Sequence, residues 1–217
     1  GDSFSGFDID LMDEICRRNG FTCEYRAYAV LPGLEAVARG EADIALGGLG
    51  ISTEREAYGT FTCPYRQGNV ANVPIFALSP SVDPATARIA VLGDSLSHQA
   101  LIGEGYTAVP FDDLASAITS VLNGETDAYH GNPNSLNLVE GAPDKLTQIG
   151  SVQGRGSGAA FLVSSARPRL VALLNDSFAI LHRDGHLQEM GDRWFGPGRF
   201  RPPEDIGVDC GMVMSAR

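Results

Sequence analysis

Gly40-Glu41-Ala42-Asp43, followed by the apolar run Ile44-Ala45-Leu46, is echoed by Gly124-Glu125-Thr126-Asp127, followed by Ala128 and Tyr129. The helical stretches before them match as well: residues 34–39 and 118–123 carry apolar side chains at helical spacing, and Gly47-Gly48 falls opposite Gly131-Asn132. A helix, a glycine stop and a short apolar strand used twice imply two α/β lobes of similar design. At 217 residues the chain is long enough for two such lobes, each with its own core.

Between the repeats the reading is continuous. Phe7, Leu11, Met12 and Ile15 recur at helical spacing, Asp8 and Asp10 place negative charge in the first turn, and Gly20 follows as a stop. Residues 21–26 alternate as a strand. Pro32 suits a helix first turn, Gly40 ends that helix, and residues 43–46 form the next strand. Residues 72–78 read as an extended strand, 79–84 as a crossing segment, and Ile89-Ala90-Val91-Leu92 restarts regular structure. Gly154-Arg155-Gly156-Ser157-Gly158 is a second crossing, followed by a strand over 159–163. Leu170, Leu173, Leu174, Phe178 and Leu181 make one amphipathic helix, and Leu187, Met190 and Trp194 another. The expected division is residues 1–80 plus 159–217 in one lobe and 85–155 in the other, with hinge crossings near 79–88 and 153–159. Alternating helices and short apolar strands predict largely parallel sheets, with ligand beyond the carboxyl ends of the strands.

Charge and cysteine content narrow the function. Lys+Arg 16 against Asp+Glu 27 gives a net charge of -11, which repels nucleic acid and anionic membrane surfaces. No basic patch offsets it. Cys16, Cys23, Cys63 and Cys210 lack the spacing of a zinc site; their even number favours an oxidising compartment and leaves disulfides open. There is no phosphate loop, nucleophile elbow or paired-histidine motif, so neither a cofactor nor a metal is expected. The start at Gly1 carries no targeting segment and is compatible with an export signal already removed.

Five motifs in order, Gly6-Phe7-Asp8-Ile9-Asp10-Leu11, Gly40-Glu41-Ala42-Asp43, Ser52-Thr53-Glu54-Arg55, Phe61-Thr62-Cys63-Pro64-Tyr65 and the stretch 175–196 ending in Trp194-Phe195-Gly196, resemble a family 3 solute-binding protein. The resemblance implies a type II periplasmic binding protein fold, two Rossmann-like lobes joined by a two-strand hinge. It implies a periplasmic receptor, monomeric and not an enzyme, that closes on an amino acid or related carboxylate and delivers it to an ABC importer permease. A dehydratase resembling the cyclohexadienyl dehydratases, or the sensor lobe of a receptor, would use the same scaffold.

By that resemblance Arg55 matches the arginine that grips a ligand's α-carboxylate. The chemistry agrees, because a planar guanidinium donates two parallel hydrogen bonds. Ser52 corresponds to a family threonine, Gly48 sits at the strand end, and Gly50 stands where Ser or Thr is common. In the second lobe, Gly93-Asp94-Ser95-Leu96-Ser97 lies between strand and helix, where backbone NH groups favour an anion; Ser95 and Ser97 are expected at the ligand, or as helix caps. Asn132 replaces the aspartate that pairs with a ligand ammonium, so an ordinary α-amino acid would lack its counter-charge. Tyr129 and His130 are expected on the same wall. The segment before Gly6 is too short for the family's first strand, and 206–214, with Cys210 bonded to Cys63, is the expected replacement.

Overall fold

In the computed structural model, which describes residues 4–67, 72–156, 158–204 and 206, the chain groups into two units. One holds residues 4–28, 32–67, 158–204 and 206; the other holds 29–31 and 72–156.

The first unit is organised around helices. α1 (Phe7–Asn19) ends at Gly20, whose φ of 72° suits glycine and turns its N–H back to the Cys16 carbonyl. α2 (Val30–Ala38) buries Leu34, Ala36 and Val37. Two two-residue strands, β1 (Ile44–Ala45) and β2 (Thr60–Phe61), flank the short helix α3 (Thr53–Glu56) in sequence. The chain returns to this unit as β8 (Leu162–Val163), α7 (Pro168–Arg183) and α8 (His186–Phe195). β8 runs antiparallel between β1 and β2. Phe7, Leu11 and Ile15 of α1 pack with Leu174, Phe178 and Leu181 of α7, Leu187 of α8, and Tyr65, Phe161 and Phe200 in one core. A disulfide joins Cys16 to Cys23.

The second unit is a five-stranded sheet ordered β5-β4-β6-β3-β7, from β3 (Asn72–Ala77), β4 (Arg88–Leu92), β5 (Thr107–Phe111), β6 (Ala128–His130) and β7 (Thr147–Gln153). Side chains alternate across it. Ile75, Ile89, Val91 and Ala128 face α4 (Leu96–Gly103) through Ala100 and Leu101, while Phe76, Ala90 and Tyr129 face α5 (Leu114–Leu122) through Ala117, Ile118 and Val121. Both faces are covered, which is why these strands read as unbroken apolar runs. A 3-10 helix (Pro133–Leu138) and α6 (Ala142–Lys145) complete the unit.

Several expectations are corrected. The sheets are not largely parallel: β4 runs parallel to β5 and β6, but β3 is antiparallel to both β6 and β7, and every pairing of β8 is antiparallel. Local periodicity reads out a strand but not the direction of one returning from far along the chain. Because β3 ladders with β6 and β7, residues 72–88 belong wholly to the second unit, and the first change of unit precedes Asn72 rather than falling at 79–88. Residues 21–26 form no strand; extended backbone becomes one only with a ladder partner. The run 159–163 is regular strand only at β8, preceded by single bridges from Ala159 to Gly50 and Arg66. Trp194 is 42% exposed and not in the core, its indole N–H donating to Asp10 Oδ2 at 2.8 Å. Of the run 206–214 only Ile206, which is buried, is described; the rest, with Cys210, lies outside the described residues. No helix among the described residues is long and apolar enough to cross a membrane.

Candidate functional site

In the first unit the candidate residues occupy one turn. After β1 the chain passes through Gly47 and Gly48, with φ of 124° and 68°, then Gly50, and enters α3 at Ser52. Ser52 is extended, with φ of -149°, and its carbonyl accepts from the Arg55 and Glu56 N–H groups at 3.1 and 3.2 Å. The Arg55 side chain turns back and Nη1 donates to the Gly50 carbonyl at 3.0 Å. Only 5% of Arg55 is exposed. Burial pulls the guanidinium below its ordinary pKa, with Glu54 opposing, yet an arginine stays charged at any physiological pH. The Ser52 hydroxyl is buried and has no hydrogen-bond partner among the described residues. A buried guanidinium and a buried hydroxyl three residues apart are both hydrogen-bond donors of the kind an oxyanion accepts from.

The glycine turn is itself held. Asp8 Oδ2 accepts from the Gly47 and Gly48 N–H groups at 2.8 and 2.7 Å, and Asp8 Oδ1 accepts from the Tyr65 hydroxyl at 2.7 Å. Tyr65 is 1% exposed, and burial first, then the Asp8 charge, raises its pKa well above the ordinary tyrosine value.

In the second unit, β4 and β6 lie side by side and parallel, so the loops after them leave from the same edge. Ser95 caps α4: its hydroxyl donates to the Leu92 carbonyl at 2.6 Å and accepts from the His98 N–H at 3.1 Å. Both directions of that hydroxyl serve the cap. Asp94, before it, has a positive φ of 52°. Ser97 lies half-buried in the first turn of α4. After β6, exposed Asn132 caps the 3-10 helix, its Oδ1 accepting from the Asn134 N–H at 2.9 Å, which leaves the amide NH2 as its outward donor. Tyr129 is a core residue rather than a wall residue: it is fully buried among the residues facing α5, and its hydroxyl pairs with Ser135 Oγ at 2.7 Å. His130 is buried, with Nδ1 bonded to the Pro74 carbonyl at 3.0 Å and Nε2 without a partner among the described residues. That carbonyl can only accept, so Nδ1 carries the proton, and burial lowers the pKa and keeps the ring neutral.

Thus Gly48, Gly50, Ser52 and Arg55 meet in one turn of the first unit, and Ser95, Ser97 and Asn132 stand at helix starts after parallel strands of the second. Sequence reasoning missed Asp8 and Tyr65. Both lie in motifs of the sequence, but the helix dipole alone already accounts for an acidic residue at position 8. The additional signal was a carboxylate available to a double glycine that has no side chain of its own to hold it.

The family model described as bacterial extracellular solute-binding proteins, family 3, matches residues 1–197. The putative ABC transporter arginine-binding protein 2 of Escherichia coli (strain K12) is 24% identical over 197 residues, 88% of this chain and 81% of that protein. The crystal structure of a periplasmic His/Glu/Gln/Arg/opine family-binding protein from Silicibacter pomeroyi in complex with lysine superposes with a TM-score of 0.81 at 25% identity, covering 89% of this chain and 88% of that one. The ancestral amino acid-binding protein AncCDT-1, a precursor of cyclohexadienyl dehydratase, has a TM-score of 0.74 at 20% identity over 89% and 86% of the two chains, a likeness of fold alone.

Proposed function

Because the chain belongs to the bacterial extracellular solute-binding proteins, family 3, we propose that it is the periplasmic, monomeric substrate-binding component of an ABC importer and that its cargo is a small carboxylate-bearing solute, an amino acid or a derivative of one. One observation carries the carboxylate: the buried Arg55 guanidinium in the same turn as the buried Ser52 hydroxyl, which has no hydrogen-bond partner among the described residues. The guanidinium supplies charge and a planar pair of donors, and the hydroxyl supplies a third. Closing of the protein on its ligand is the event the permease reads.

The other end of the ligand differs from that of a standard amino acid. Asn132 offers an amide N–H where a carboxylate would hold an ammonium, so it favours a carbonyl, a hydroxyl or a second oxyanion. A thermal-shift panel of L-arginine, L-glutamine, glycine betaine and succinate tests both ends. A native-state ligand raises the melting temperature with the logarithm of its concentration. At least one panel member should stabilise the protein and lose that effect in Arg55→Ala; an unchanged shift would remove Arg55 from the reading. A response confined to compounds with a primary ammonium would remove the Asn132 part.

A further inference from the structure

We infer that Asp8 is a positioning residue for ligand binding: its carboxylate sets the Gly47-Gly48 turn so that the backbone from Gly48 to Ser52 stands in its binding arrangement before ligand arrives. The inference rests on the reading that this turn and Arg55 take the carboxylate.

Steric packing does not hold the turn. A Cβ at Gly47 or Gly48 would meet nothing within 4 Å, and both residues adopt positive φ values that leave glycine many alternatives. What does hold it is electrostatic: two adjacent N–H groups converge on one oxygen, Asp8 Oδ2, at 2.8 and 2.7 Å. Hydrogen bonds to an ionised acceptor are about twice as strong as neutral ones. Asp8 is in turn held from behind. It lies in the first turn of α1 beside the buried Phe7, and its second oxygen receives the Tyr65 hydroxyl. The Tyr65 ring is fixed against Phe7, Phe161 and Phe178. Orientation therefore passes from an immobile ring to a carboxylate, from there to two flexible glycines, and on to the Gly50 carbonyl that receives Arg55 Nη1. A turn free to sample other glycine conformations would be binding-competent only part of the time, and apparent affinity falls in proportion to that fraction.

The test compares Asp8→Ala, Asp8→Asn, Tyr65→Phe and Arg55→Ala by calorimetric titration with L-arginine, L-glutamine, glycine betaine and succinate, at a temperature where circular dichroism shows each variant folded. Asp8→Ala should weaken the tightest panel ligand by about tenfold or more, and Asp8→Asn by less, because its amide oxygen can still accept both N–H groups. Amide exchange at Gly47 and Gly48 in the ligand-free protein should accelerate in the same order. Should Asp8→Ala fail to fold, Asp8→Asn and Tyr65→Phe carry the comparison, each with a smaller loss. A carboxylate serving only stability would lower the melting temperature and leave the dissociation constant of the folded protein unchanged, and that result overturns the inference. If Arg55→Ala loses binding while the Asp8 and Tyr65 variants keep it, the positioning role falls and the carboxylate reading stands. If Arg55→Ala binds like the parent, or no panel member binds the parent, the reading falls and the inference with it.

Discussion

Arg55 and Asp8 illustrate what one side chain reveals in a sequence and what it conceals. Arg55 was legible because a guanidinium just after a strand end, in a stretch short of other positive charge, suits an anion. At 5% exposure its charge lies among protein oxygens, the Gly50 carbonyl one of them. Asp8 was not legible, because an acidic residue in the first turn of a helix already has an explanation in the helix dipole. Only the fold brings Gly47, Gly48 and Tyr65 to it. Glu14 provides a pH signature of its own. Hydrogen bonds from Arg17, with Arg18 and against some desolvation, hold its carboxyl at about 2 rather than 4.5. A depressed folded-state value stabilises the protein above the unfolded value, and that contribution is lost as pH falls from 4.5 through about 2. Chemical denaturation across this window should show a fall in stability that is shallower in Glu14→Gln; equal slopes would contradict it.

At the level of elements, the longer helices and the strands β3, β4 and β6 were readable, while β5, β7, strand direction and strand membership were not. α1, α5, α7 and α8 follow from apolar spacing and glycine stops, and β4 and β6 from short apolar runs. β3 was read as a strand, but its partners β6 and β7 come from distant sequence, so its unit could not be read locally. The same limit explains residues 21–26, which have strand-like alternation and no ladder. In α8 the apolar spacing predicts the helix but not the side on which Trp194 lies. Trp194 turns outward to Asp10 while Phe200 fills the inner side, lying where a Cβ on Gly191 would stand. Gly191→Ala should therefore displace the Phe200 ring and destabilise the protein by about 1–3 kcal/mol. Urea unfolding would measure this, and a change under about 0.5 kcal/mol would show that Phe200 yields without cost.

For the whole molecule, the repeated motif correctly implied an α/β chain in two units, and family membership places this chain among extracellular solute receptors. Ligand chemistry is a finer property and rests on single positions: the carboxylate grip proposed for Arg55, whose Nη1 donates to the Gly50 carbonyl, and the donor role proposed for Asn132, whose Oδ1 caps the 3-10 helix. A net charge of -11 argues against a polyanionic cargo and is no obstacle to a small zwitterion or cation. Calorimetric comparison of the tightest amino acid ligand with its decarboxylated analogue, L-arginine against agmatine or L-glutamine against 4-aminobutanamide, in the parent and in Arg55→Ala, bears most directly on the carboxylate grip. Removing the carboxylate should cost the parent about a hundredfold in affinity, and the two compounds should bind Arg55→Ala within a few-fold of each other; equal binding of the two compounds by the parent would contradict the assignment of Arg55 to the ligand carboxylate.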